Sequence, residues 1–209
     1  MMKTVAQTWI ALTLIFGNLD TCRAGIINGS FETGDLTGWT ANPTTLVTVA
    51  TSYHTHGPIF TPVDGNHFAL LLTGGGTNVY TTLSQTFTVN AGDILTGYAF
   101  FQANDEMPHN DDAYVRIVEN NSILFQSDVS TVGDSGNTPW TFFTYVFSTP
   151  GTYTIEAGVR NVLDNAFPSA LGLDNVQLLQ TTVPEPSSIA LIALMIVPAG
   201  IYLRGRHRL

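Results

Sequence analysis

Leu83-Ser84-Gln85-Thr86-Phe87-Thr88-Val89 alternates apolar and polar residues. Successive side chains of an extended chain point to opposite faces, so Leu83, Phe87 and Val89 share one face and the run predicts a half-buried strand. Asn90-Ala91-Gly92-Asp93 behind it reads as a turn into a second apolar run, Leu95 to Phe101. On the other side, Gly74-Gly75-Gly76 separates it from His67-Phe68-Ala69-Leu70-Leu71-Leu72, which the turn Asp64-Gly65-Asn66 introduces.

The same pattern extends outward. Leu46-Val47-Thr48-Val49 is a strand candidate, and Tyr114 to Val118 with Ile123-Leu124-Phe125 flanks Glu119-Asn120-Asn121-Ser122, which suits a hairpin. Trp140 to Phe147 is aromatic on both faces, as for a strand inside a two-layer core. Tyr153, Ile155, Ala157 and Val159 share a face, and Leu171 to Leu179 forms the closing strand. Asn104 to Asp112, Thr131 to Pro139 and Asn161 to Ser169 read as loops. No stretch has the period of a long amphipathic helix. About nine or ten short strands predict an all-β fold, an antiparallel β-sandwich of jelly-roll type, over residues 25–180. No repeat of roughly 20–50 residues points to a propeller or solenoid.

Both ends carry targeting patterns. Lys3, the apolar stretch Trp9 to Phe16 and Cys22-Arg23-Ala24 before Gly25 predict a signal peptide over residues 1–24. Leu19-Asp20-Thr21-Cys22 fits a lipoprotein box less well, because of Asp20. At the other end, residues 181–209 combine Val183-Pro184-Glu185-Pro186-Ser187-Ser188, an uncharged stretch to Leu203, and the basic tail Arg204, Arg206, Arg208. Pro184 and Pro186 keep the motif extended. Residues 187–203 are just long enough for one transmembrane helix, and the arginines put its end in the cytoplasm. This series resembles the PEP-CTERM sorting signal of Gram-negative bacterial exported proteins. The resemblance implies recognition at Pro184-Glu185-Pro186 by the membrane protease exosortase, a membrane-anchored precursor, and delivery to the cell surface, biofilm or extracellular matrix.

Without these two segments the chain has 14 acidic residues, from Glu32 to Asp174, against Arg116 and Arg160 alone, a net charge of −12. A surface so acidic repels phosphate backbones, which excludes nucleic acid as a partner and tolerates divalent cations. The one cysteine, Cys22, lies at the edge of the signal peptide, so no disulfide holds the domain.

Asn28-Gly29-Ser30-Phe31-Glu32 with Gly38-Trp39, Asp64-Gly65 before His67-Phe68-Ala69-Leu70, and Leu173-Asp174-Asn175-Val176 together resemble the opening, middle and closing motifs of galactose-binding-like jelly rolls, which include many carbohydrate-binding modules. The resemblance implies that the first and last segments meet, with Ca2+ between Glu32 and Asp174 and carbonyls near Asp35 and Asp64 completing the shell. Hard oxygens from carboxylates and turn carbonyls are what calcium takes. The same acids also serve as ordinary turn residues in many folds.

Other groups carry less. Asp105, Glu106, Asp111 and Asp112 lack the alternate spacing of an EF-hand and read as a solvated loop or a second ion contact. His54 and His56, with His67 and His109, lack the spacing of a zinc motif. No nucleophile elbow or phosphate loop is present, and no carboxylate pair stands out for glycoside cleavage, so no enzyme is expected. Tyr53, Phe60, Tyr80 and Tyr98 are candidate platforms for a sugar, or core. Three functions follow: a non-catalytic surface or matrix protein associated with glycan or exopolysaccharide, a structural envelope protein of the same fold without a sugar site, and a small polysaccharide hydrolase.

Overall fold

Leu83 to Val89 lies inside a ten-residue strand, β4 (Tyr80–Val89), in a computed structural model that describes residues 25–181. Before it come β1 (Thr40–Asn42), β2 (Val47–Ala50) and β3 (Phe68–Leu72); after it come β5 (Ile94–Gln102), β6 (Asp112–Ile117), β7 (Ser122–Asp128), β8 (Thr141–Val146), β9 (Gly151–Arg160) and β10 (Ala170–Leu179). The helical pieces are a 3-10 turn, Thr44–Leu46, and one turn of α-helix, α1 (Val129–Val132), capped by the Asp128 carboxylate. The predicted signal peptide and the sorting signal, with its proline motif, membrane span and arginines, lie outside the described residues. Among the described residues no helix is long and apolar enough to cross a membrane.

Two five-stranded antiparallel sheets, ordered β1-β4-β9-β6-β7 and β2-β3-β10-β5-β8, pack face to face. The chain changes sheet at every connection except β2–β3 and β6–β7, the crossing pattern of a jelly roll. The expected β6–β7 hairpin forms, with Ile117 paired to Ser122. Between the sheets, Leu83, Phe87, Val115, Ile155, Ala157 and Val159 from one meet Leu71, Leu95, Phe101, Leu171 and Leu173 from the other. The alternation read in the sequence therefore fills the core.

Trp140 to Phe147 departs from expectation. β8 is an edge strand: Phe143 and Phe147 face the core, whereas Phe142 and Val146 are 52% and 58% exposed. Trp140 instead joins a second apolar cluster, with Phe60, Phe68, Leu70 and Phe100, on the outer side of the β2-β3-β10-β5-β8 sheet.

The opening segment forms no strand but docks on β10. Val176 N–H donates to the Gly29 carbonyl at 2.9 Å, and Trp39 Nε1 donates to the Asn28 carbonyl at 3.1 Å. The β10 motif makes this possible. Asn175 takes a left-handed conformation (φ 49°), which asparagine tolerates, and the pairing with β5 shifts between Asp174 and Gln177. The bulge turns Val176 toward Gly29. The first and last segments meet, as the motifs implied.

Candidate functional site

Three rows of residues run across the outer side of the β1-β4-β9-β6-β7 sheet. The registers align Tyr80, Arg160 and Asp112 in one row, Thr82, Gly158 and Tyr114 in the next, and Ser84, Glu156 and Arg116 in the third. Their neighbours Leu83, Ala157 and Val115 face the core, so period-2 alternation forces these polar and aromatic side chains outward. Gly158 is what lets Tyr114 lie across β9: a Cβ there would stand 2.6–2.8 Å from the tyrosine ring. Tyr114 then meets Tyr80 edge-on, with ring centroids 4.9 Å apart.

Charges complete this network. Arg116 donates from Nε and Nη2 to Glu156 Oε1 at 3.0 and 2.7 Å, and Tyr114 Oη donates to the same oxygen at 2.7 Å. Arg160 Nε donates to Asp112 Oδ2 at 2.8 Å, and Tyr80 Oη donates to Asp112 Oδ1. Each guanidinium also lies over a ring, Arg116 over Tyr114 at 4.8 Å and Arg160 over Tyr80 at 4.7 Å. Burial and the carboxylate acceptors raise both phenols above their ordinary pKa, so they remain donors at any physiological pH. Asn121, Gln126 and Asp128 extend the lining of a cavity of about 600 Å³. Of the two basic residues of the described domain, Arg116 lines it and Arg160 lies over the ring of Tyr80, which also lines it.

The predicted acid pair lies elsewhere. Glu32 Oε1 accepts from the Asn66 and His67 amides, both at 2.8 Å. Asp174, wholly buried, accepts from Val63 and Asp64 amides at 2.7 and 3.1 Å through Oδ2, and from Asn175 at 2.6 Å through Oδ1. One loop, residues 63–67, thus ties the opening segment to β10. Gly65 is needed there, since its φ is +66° and any Cβ would strike the Glu32 carboxylate. Asp64 Oδ2 accepts from Ser30 Oγ at 2.8 Å, whereas Asp35 stays in its own loop, accepting from Thr33 and Thr37. Burial pushes the Asp174 carboxyl up to about 6, against the pull of its amides; the Asn66 amide holds Glu32 below its usual range.

The loop from Asn104 to Asp111 is not the solvated acidic loop expected from sequence. Asp105 and Asp111 are buried, at 2% and 0% exposure, and Asp112 belongs to β6. Asp111 holds two connections together, accepting from Val162 N–H at 2.9 Å and Ser169 Oγ at 2.6 Å, and burial raises its carboxyl to about 6. The four histidines do not converge. His54 and His56 are exposed, His67 faces Glu32, and His109 lies beside Asp105 and Asp164.

Of the four aromatic platforms read from sequence, Tyr80 alone lies in the cavity. Phe60 stacks on Phe100 at 3.8 Å and is buried; Tyr53 lies near-parallel to Phe100 at 6.3 Å; Tyr98 pairs with Phe142 at 5.2 Å. Tyr114, Arg116, Glu156 and Arg160 were missed. Their one signal was i, i+2 spacing: Asp112, Tyr114 and Arg116 share one face of a strand, as do Glu156, Gly158 and Arg160.

No protein-family model and no curated protein matches the sequence. Solved structures similar in fold include TmCBM61 in complex with β-1,4-galactotriose, 14% identical over 76% of this chain and 99% of that one, TM-score 0.49. A family 16 carbohydrate-binding module is 18% identical over 74% and 99%, TM-score 0.43. The K3 cleaved adhesin domain of Lys-gingipain from Porphyromonas gingivalis W83 is 17% identical over 76% and 100%, TM-score 0.46. None reaches 0.5, so the functional reading stands on this chain's own residues.

Proposed function

We propose that the chain is an exported, non-catalytic glycan-binding protein of the cell surface or extracellular matrix, holding polysaccharide on the outward face that carries Tyr80, Tyr114, Arg116 and Arg160. The observation that carries this is the outward Tyr–Arg–carboxylate network, a set of preorganised donors and acceptors beside aromatic faces. Sugar recognition uses this combination: rings meet the apolar face of a pyranose while paired polar groups bind its hydroxyls. In an acidic domain, the two guanidiniums offset the carboxylates of Glu156 and Asp112, so a neutral chain approaches this face without an uncompensated charge from either pair. Glu156 and Asp112 are each held by an arginine and a tyrosine, which suits holding a ligand rather than passing a proton. Export rests on the sequence signals at either end.

Affinity electrophoresis against a panel of neutral and acidic polysaccharides tests the reading. Retardation by at least one of them, abolished by Tyr114→Ala, is expected. Retardation by none, in folded protein, would leave the structural envelope role; release of reducing ends would make it a hydrolase.

Calcium at Glu32, Asp64 and Asp174 is part of the same proposal. The amides of Val63 and Asp64 already hold Asp174, and those of Asn66 and His67 hold Glu32, so the ion would tighten an existing clip. At millimolar calcium and an affinity of order 10⁻⁴–10⁻³ M, the gain is roughly 1 kcal/mol. The melting temperature is expected to rise with calcium, and Asp174→Asn to flatten the response; an unchanged melt in chelator-stripped protein would remove calcium from the account.

A further inference from the structure

We propose that Asp105, His109 and Asp164 form a binding site for a first-row transition-metal dication of the zinc class. The site lies at the end of the sandwich where the β5–β6 and β9–β10 connections meet. One ligand atom from each residue lies within 4.8 Å of the other two. His109 Nδ1 is 3.6 Å from Asp105 Oδ1, and His109 Nε2 is 3.5 Å from Asp164 Oδ2. Both separations exceed a proper hydrogen bond. The two contacts use different ring nitrogens; an ion takes one of them, together with one oxygen of each carboxylate, and such a set lies within 4.8 Å.

A second observation points to a missing positive partner. Asp105 is 2% exposed, and its Oδ2 is buried without a hydrogen-bond donor, whereas Oδ1 accepts from the Glu106 amide at 2.8 Å. A buried carboxylate oxygen left unanswered is costly, and a cation is the ordinary remedy. No arginine is available for it: Arg116 and Arg160, the two basic residues of residues 25–181, are bound to Glu156 and Asp112.

The backbone holds the ligands in place. Ser135 N–H donates to the Asp105 carbonyl at 3.0 Å, His109 N–H to the Glu106 carbonyl at 2.9 Å, and Thr77 Oγ1 to the Asp164 carbonyl at 2.9 Å. A cleft of about 200 Å³, lined by His56, Asn104, Asp105, Glu106, Ser135 and Phe167, gives the ion a path to Asp105. The imidazole sets the class of metal. Calcium and magnesium take oxygen ligands, whereas a histidine with two carboxylates suits zinc and its neighbours. The site is separate from the Tyr80–Tyr114 face and from the Glu32–Asp174 clip, and neither reading depends on it.

The test is zinc binding to the purified full chain carrying no histidine tag, by equilibrium dialysis and by titration calorimetry. One zinc per chain is expected, bound at least tenfold more weakly by His109→Ala and by Asp164→Asn, and unaffected by Glu32→Gln. Cobalt in place of zinc should give the visible bands of a low-symmetry site, lost in the same two variants. Asp105→Asn is the buried change that risks misfolding; the other two residues are about one-third exposed, and circular dichroism checks their fold. The proposal is overturned by wild-type protein that takes up no stoichiometric zinc, by His109→Ala binding as wild type does, or by calcium displacing zinc at equal concentration.

Discussion

The two sheets show opposite treatment of their outer faces. On β1-β4-β9-β6-β7, aromatic rings stand half-buried beside arginines and carboxylates, and the face stays open. On β2-β3-β10-β5-β8, the aromatic rings are more numerous and, apart from Phe142 and its neighbour Tyr98 at the β8 edge, covered. The 51–61 segment doubles back through a Tyr53–Phe60 bridge and lays Phe60 on Phe100, while Trp140 caps the pile edge-on at 4.7 Å and donates from Nε1 to the Thr61 carbonyl. Aromatic content alone therefore does not mark a binding face. What separates the two is the company of the rings: apolar neighbours bury them as a second core, whereas paired charges keep them at the surface.

If this contrast holds, cutting into the covered face should damage stability and leave recognition alone. Phe100→Ala removes a ring in contact with Phe60, Phe68 and Trp140 and should cost about 3–5 kcal/mol, the usual range for a buried phenylalanine. Thermal denaturation followed by circular dichroism measures the loss, expected to be roughly 10 °C at this chain length. Polysaccharide affinity below the melt should match wild type. A variant that lost affinity while remaining folded would show that the covered face also binds.

Charge is handled differently on the two faces as well. Asp174 continues the outward row of Ala170 and Gly172 on the covered sheet, and is wholly buried with amides as its partners. Its carboxyl is raised to about 6 from an unfolded value of 3.8. A raised carboxyl favours the neutral form in the fold, so its contribution is fully present below about pH 3.8 and is lost as pH rises toward 6. At 1.36 kcal/mol per unit of displacement, the full loss is on the order of 3 kcal/mol, about two-thirds of it between pH 4 and 6. In metal-free buffer, the stability of wild type relative to Asp174→Asn should therefore fall between pH 4 and 6. Urea denaturation of the two proteins across that range measures it, and a gap independent of pH would show that Asp174 is not held as described.

On the open face the effect should be reversed: recognition lost, stability nearly kept. Arg116→Ala removes two hydrogen bonds to Glu156 and the cation over Tyr114, in a site about one-third exposed. Hydrogen bonds to charged groups are worth about 1.5–3 kcal/mol, which corresponds to a tenfold or larger fall in polysaccharide affinity where the guanidinium contacts the ligand. Affinity electrophoresis reads that loss, and a melting temperature close to wild type shows that it is not unfolding.

The legible parts of the molecule were those with local causes. β4 and β9 announced themselves because alternation is a property of neighbours in sequence, and the turns around them carried Gly, Asn and Asp. The docking of Gly29 on Val176 was implied by motif resemblance, since the bulge at Asn175 is written into three adjacent residues. The open face was not legible. Tyr114 and Glu156 lie 42 positions apart, and only the β6–β9 register puts them side by side. Phe60 and Tyr53 misled for the same reason, because nothing local says that the 51–61 segment folds back over Phe100. The burial of Asp105 and Asp111 likewise comes from the loops packed on them.

The smallest change sharpens the contrast most. Gly158 lies between Tyr114 and Thr82 in the central row of the open face, where a Cβ would stand 2.6–2.8 Å from the tyrosine ring. Gly158→Ala adds one methyl group to the middle of a strand, where alanine is intrinsically preferred to glycine by roughly 0.5–1 kcal/mol. The backbone at 158 is extended, with no positive φ to strain it. The ring, half-exposed and hinged at χ1, yields more easily than the sheet, so stability should change by less than about 1 kcal/mol. Recognition should fall several-fold, since the displaced ring loses its edge-on contact with Tyr80 and its hold on Glu156. Adding Tyr114→Ala to Gly158→Ala separates the two effects: if the methyl acts only through the ring, the double variant binds no worse than Tyr114→Ala alone. A further loss in the double variant would mean that the ligand itself lies over Gly158, placing the sugar directly on β9 and not on the tyrosine above it.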